Sequence, residues 1–138
     1  MILINGENHI LGRLSSIVAK KLLDGEEVVI VNAEKIAIIG DKDIILEKYK
    51  DRINLSAKGN PHRGPKFPRM PDRIVRRAIR GMLPFKRARG REAFRRLKVF
   101  IGIPNELKDK SFKEIPEAVL KGEKDFIYVK ELSKLLGK

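Results

Sequence analysis

The sequence contains no cysteine and no tryptophan, and its only histidines are His9 and His62. Without thiols it can build neither a disulfide framework nor a thiolate metal site, and two isolated histidines argue against a histidine-rich one. Its uninterrupted apolar runs are a few residues long, far short of a membrane span. The opening MILINGENHILGR has no basic stretch ahead of an apolar one, so no secretory signal is expected, and a cytoplasmic location follows by default. A third scarcity is local. Between residues 58 and 98 there are only two acidic residues, Asp72 and Glu92.

What is present fills that gap with positive charge. The 138 residues are 42% apolar, enough for one domain spanning 1–138 with a buried core. Charged residues make up 36%, and the formal net charge is +13. Residues 1–57 are nearly balanced, with 8 Lys and Arg against 9 Asp and Glu. Residues 99–138 are balanced too, 8 against 7. Residues 58–98 carry 15 against 2, so the whole excess lies there. Such a block repels itself, and solubility needs nothing so one-sided; it marks a polyanionic partner.

The flanking sequence alternates in the manner of an α/β fold. Ile2-Leu3-Ile4 reads as a strand closed by Asn5-Gly6. Leu11, Leu14, Ile17, Val18 and Leu22 then recur at helical spacing up to Gly25, a suitable residue just past a helix end. Val28–Val31 is apolar on both faces, as in a parallel sheet, so residues 2–31 read as a βαβ unit. Asp41 can cap a helix over Lys42–Tyr49. Ser56–Pro71, with four prolines and two glycines, reads as an extended loop. A helix is predicted over Pro71–Leu83, a shorter one over Arg91–Leu97 after Gly90, a strand over Lys98–Ile103 and a last helix near Val129–Leu136.

The helix beginning at Pro71 carries the most information. Arg73, Arg76, Arg77 and Arg80 fall within one face roughly 100° wide, and Val75, Ala78, Ile79 and Met82 fall opposite. Like charges at this spacing destabilise an isolated helix, and only Asp72 at its start opposes them. An external anion is the better explanation, since guanidinium forks hold phosphates bidentately. Lys58, His62, Arg63, Lys66 and Arg69 in the loop extend this surface, as do Lys86, Arg87, Arg89, Arg91, Arg95 and Arg96 beyond it. Phe67 and Phe85 lie among them, where each can stack on an unpaired base or anchor the segment to the core. No zinc-finger spacing or aromatic RNA-recognition signature is present, so shape and backbone should dominate recognition.

Rival readings fare worse. Gly6 and Gly12 bracket a loop between strand and helix, but five residues separate them and Arg13-Leu14 follows. A phosphate-binding P-loop needs four, then Lys and a hydroxyl. Asp41, Asp43 and Glu47 fit a solvated helix start, and His9 a local hydrogen bond. No nucleophile–base pair, cofactor site or small-molecule substrate is indicated. A membrane-surface helix would need an aromatic insertion face that the Arg helix lacks. DNA is not excluded by charge, although no helix-turn-helix pair is evident and a Pro/Gly-rich basic loop suits irregular RNA better.

His9–Gly40 (HILGRLSSIVAKKLLDGEEVVIVNAEKIAIIG), the joining PKFPRMPDRIVRRAI and Ile79–Pro104 (IRGMLPFKRARGREAFRRLKVFIGIP) resemble the universal L-thirteen family of large-subunit ribosomal proteins, in its archaeal/eukaryotic form. The resemblance covers most of residues 2–104 and includes the Arg80-Gly81-Met82-Leu83-Pro84 element. It implies a three-layer α/β/α fold with a small, mainly parallel sheet, into which the basic loop-helix segment 56–98 is inserted. It also implies a non-catalytic constituent of the large subunit that binds its ribosomal RNA, supports assembly and has ribosomal proteins as neighbours. The family's contacts around that element map onto Arg73, Arg76, Arg77, Arg80, Lys86, Arg87 and Arg89.

Overall fold

The computed structural model describes residues 1–54, 68–122 and 125–137. Three strands, β1 (Ile2–Asn5), β2 (Val28–Val31) and β4 (Leu97–Val99), form a parallel sheet in the order β1-β2-β4. Ile2 faces Val28 and Ile4 faces Ile30, while Val28 pairs on its other side with Leu97. All four residues of β2 are buried, as a central parallel strand requires. Strand β3 (Ala37–Ile39) pairs antiparallel with β5 (Phe126–Tyr128) in a second, two-stranded sheet. The chain is thus an α/β fold whose main sheet is small and parallel.

Helix α1 (Leu11–Leu23) supplies the crossover between β1 and β2. Its end is held by reverse-turn bonds: Gly25 N–H donates to the Leu22 carbonyl at 3.1 Å and Glu26 N–H to that of Lys21 at 3.2 Å. Gly25 adopts φ +96°, which a β-carbon would oppose. Helix α2 (Lys42–Asn54) starts as expected, with the Asp41 carboxylate accepting from the Asp43 N–H at 2.9 Å. It runs one turn past Tyr49, because half-buried Tyr49 and Ile53 pack against the core. Burial raises the Tyr49 phenol above its usual pKa, opposed by the nearby Arg52 charge.

The core runs from Ile4 to Leu136 and draws on every helix and on both sheets. Helix α1 packs on α3 (Pro71–Arg80) and α4 (Ala88–Arg95), and α3 in turn on α5 (Val129–Leu135). The last third of the chain closes the open edge of β1: Lys113 N–H donates to the Leu3 carbonyl at 2.8 Å and Asn5 N–H to that of Lys113 at 3.0 Å. His9, fully buried, ties the same segment down. Its Nε2 accepts from the Ile115 N–H at 2.9 Å, so Nδ1 carries the proton toward the Glu7 carbonyl at 3.0 Å. The predicted local hydrogen bond is there, joined by a second one across the chain.

Other boundaries differ from expectation as well. Helix α3 ends at Arg80, not Leu83. Met82 and Leu83 close the turn with bonds to the carbonyls of Ile79 and Arg80, because Pro84 disfavours helical geometry in the residue before it. That change of phase turns Met82 outward to 45% exposure, where the helical pattern had put it in the core, and buries Leu83 instead. Helix α4 spans Ala88–Arg95 and so contains Gly90, after which the sequence predicts its start at Arg91. The late strand stops at Val99, after which Gly102 at φ +66° bends the chain and donates to the Glu34 carboxylate at 2.7 Å.

Candidate nucleic-acid interface

Helix α3 is amphipathic in the sense its sequence foretold. Pro71 sits in the first turn after Met70, with Asp72 beside the helix N-terminus. Ile74, Val75 and Ile79 are buried, at 3%, 0% and 0% exposure. Full burial of such side chains is worth about 1.5–3 kcal/mol each, which offsets the repulsion among the arginines they carry. The apolar side is therefore consumed by the core and is not available for insertion into a lipid surface.

On the outer side Arg73 and Arg77 are exposed and Arg76 and Arg80 half-buried. The half-burial has a definite cause. The Arg80 guanidinium carbon lies 4.1 Å from the centre of the Phe85 ring, and that of Arg76 lies 4.9 Å from the centre of Phe94. The two rings meet edge to face, 5.6 Å apart at an angle of 85°. Each cation–π contact contributes about 0.5–1 kcal/mol at an exposed site and fixes where the fork points. Phe85 thus serves as an anchor under an arginine. Phe94, which the sequence reading did not single out, serves as its twin; its place opposite Phe85 across the turn was the available signal.

The turn after α3 is held as firmly. Arg87 N–H donates to the Pro84 carbonyl at 2.9 Å, and the Arg91 guanidinium donates to the carbonyl of Lys86 at 2.9 Å. Gly90 is buried directly beneath Pro84. A β-carbon there would overlap the Pro84 carbonyl and come within 2.9 Å of the Phe85 nitrogen. Only glycine permits this approach. The result exposes Lys86, Arg87 and Arg89 around one tight corner, with Arg95 exposed farther along α4.

The predicted residues therefore separate into groups. The structure brings Arg73, Arg76, Arg77, Arg80, Lys86, Arg87 and Arg89 onto α3 and the adjoining corner. Arg91 is exposed but tied to the corner's own carbonyls. Arg96 is half-buried and donates to the Leu22 carbonyl at 2.8 Å, placing a cation at the C-terminal end of α1. Arg69 lies exposed just before α3, where its carbonyl accepts from the Ser133 hydroxyl at 2.7 Å. Lys58, His62, Arg63, Lys66 and Phe67 lie outside the described residues.

The glycine-bracketed loop after β1 is arranged quite differently. The N–H groups of Gly6, Asn8, His9 and Ile10 donate to the carbonyls of Val31, Lys35, Gly6 and Ala118, at 2.7 to 3.1 Å. A phosphate cradle needs such amides turned toward a ligand; these are engaged within the fold. Among the described residues no group of acidic or histidine side chains is placed to hold a metal ion, and no helix is long and apolar enough to cross a membrane.

The family model described as Ribosomal protein L13 matches residues 1–106. A protein of Archaeoglobus fulgidus named large ribosomal subunit protein uL13 is 49% identical, the alignment covering 97% of this chain and 86% of the relative. Its namesake in Methanosphaera stadtmanae is also 49% identical, over 98% of this chain and 96% of its own. That of Methanocaldococcus jannaschii is 55% identical over 78% and 79%.

Proposed function

The chain belongs to the ribosomal protein L13 family, and from that membership we infer that it is a structural constituent of the large ribosomal subunit, held there on large-subunit ribosomal RNA by its basic arm. The observation that carries the RNA reading is the ordered display of guanidinium groups on α3 and the corner after it. Arg73, Arg76, Arg77, Arg80, Lys86, Arg87, Arg89 and Arg95 are the contact residues in this reading. Lys58, His62, Arg63, Lys66 and Arg69 extend the contact on charge alone, while Arg91 and Arg96 act mainly through the carbonyls they hold. Neighbouring ribosomal proteins would meet the remaining surface, and the protein would act in the cytoplasm as part of the ribosome. It would have no catalytic role: the loop that resembles a nucleotide cradle has its amides engaged, which supports a scaffold and not an NTPase.

Filter binding to large-subunit RNA fragments tests the assignment. Replacing Arg73, Arg76, Arg77 and Arg80 together with Gln should flatten the plot of log affinity against log salt by about three units. An unchanged slope and affinity would remove this face from the reading.

A further inference from the structure

A cavity of 520 Å³ opens at the corner between α3 and α4. Gly81, Leu83, Pro84 and Phe85 form its apolar lining, and Arg77, Arg80, Lys86 and Arg87 line it with charge. A run of backbone phosphates needs no such hollow, because the arginine face of α3 already meets them. An apolar concavity bordered by cations fits a flat aromatic group that carries phosphates on either side. The hollow is also fixed in advance. Phe85 is braced by Phe94, the Lys86 carbonyl by Arg91, and the Pro84 carbonyl sits on Gly90. Little conformational freedom is lost when a ligand enters such a site. Unpaired bases splayed from an RNA are recognised by stacking on aromatic rings and guanidinium groups.

We propose that this cavity receives one unpaired nucleotide extruded from the ribosomal RNA, its base stacked on the Arg80 guanidinium that lies over Phe85 and set against Pro84, with its flanking phosphates on Lys86 and Arg87. The proposal rests on the RNA-binding reading above and adds a single-base contact to a surface otherwise suited to backbone.

Gly81 gives a clean test. Its φ is −63°, and a β-carbon there would lie 3.5 Å from the Ala78 carbonyl oxygen and 3.7 Å from that of Arg77, ordinary contact distances. Gly81→Leu can therefore add bulk at the cavity wall while every cation remains, and Gly81→Ala controls for the backbone change. The probe is a complete large-subunit rRNA transcript, footprinted with reagents that modify base edges and with hydroxyl radicals that cut the backbone. The parent protein and Gly81→Ala should shield one isolated unpaired base inside the backbone footprint. Gly81→Leu should leave that base reactive and bind roughly tenfold more weakly, with its backbone footprint and salt slope retained. Phe85→Leu, which keeps apolar bulk but removes the ring, should expose the same base. Equal shielding in both variants, or no isolated shielded base in the parent protein, would overturn the proposal. If the parent protein leaves no backbone footprint, the RNA-binding reading itself falls, and this inference with it.

Discussion

Strand β2 and the α3–α4 arm meet in one core but are built by different means. In β2, Val28, Ile30 and Val31 are wholly buried and Val29 nearly so, paired on both sides by backbone hydrogen bonds. Nothing there depends on charge. In the arm, arginines crowd one helix face and the chain's carbonyls turn sharply around Pro84. Order comes from aromatic rings beneath Arg76 and Arg80 and from the Arg91 and Arg96 guanidiniums on carbonyls. The comparison teaches that the basic arm has two populations of arginine. Some hold the arm in shape, and others are held by it. Changes to the first should alter stability, and changes to the second should alter RNA affinity.

The largest effect is expected at the joint between the two regions. Gly90→Ala forces a methyl into the Pro84 carbonyl, so either α4 or the corner must move. Overpacking against backbone should cost about 3 kcal/mol, read from the denaturation midpoint. RNA affinity should fall with it, since Arg80, Lys86 and Arg87 lose their common frame. A variant with normal stability and normal affinity would show that the corner does not position the charge.

A change far from the arm should do the opposite. His9→Ala leaves the Ile115 N–H buried without a partner, at a cost of about 2 kcal/mol. The loss should appear first as faster hydrogen exchange at Lys113 and Ile115, which close the edge of β1. The RNA salt slope should stay as it was. A loss of RNA affinity beyond the loss of folded protein would break the separation of the two regions.

How much of this was legible beforehand follows the same division. Helices α1 and α3 were readable because their apolar spacing is local, and β2 because a run of four β-branched residues has few other uses. The arginine face followed from 100° per residue alone. Contacts between distant segments could not be read. The pairing of Ile39 with Phe126, or of the Lys113 backbone with Leu3 and Asn5, leaves no periodic trace in either partner. Gly90 misled for a physical reason. Glycine usually breaks a helix, and here it lies within one because a carbonyl from another turn presses against it. Met82 misled because Pro84 ended the helical phase before it. The roles of Arg91 and Arg96 were hidden by their resemblance to their neighbours; only geometry distinguishes an arginine that meets a carbonyl from one that does not.

Arg95 and Arg96, adjacent in sequence, sharpen that distinction. Arg96→Met removes the donor to the Leu22 carbonyl but keeps the aliphatic stem, and should cost about 1–2 kcal/mol of stability. Its RNA salt slope should not change. Arg95→Gln should leave stability alone and reduce the slope by about one unit. The reverse pattern would exchange their roles.

The smallest effect is the most discriminating. Phe94→Leu retains an apolar side chain of similar reach and removes no charge, but takes away the ring under Arg76 and the edge that braces Phe85. Stability should drop by about 1 kcal/mol, the scale of a lost aromatic pair and a lost cation–π contact. The salt slope should remain, because every cation is still present to meet a phosphate. Affinity should nevertheless fall by a few fold, because Arg76 must now be ordered at the moment of binding, at about 0.5–1.5 kcal/mol for an immobilised long side chain. Unchanged affinity would mean that the rings only hold the arm together, and that the position of Arg76 before RNA arrives is of no consequence. A changed slope would mean that Arg76 had lost its phosphate altogether, so that the ring selects the contact as well as preparing it.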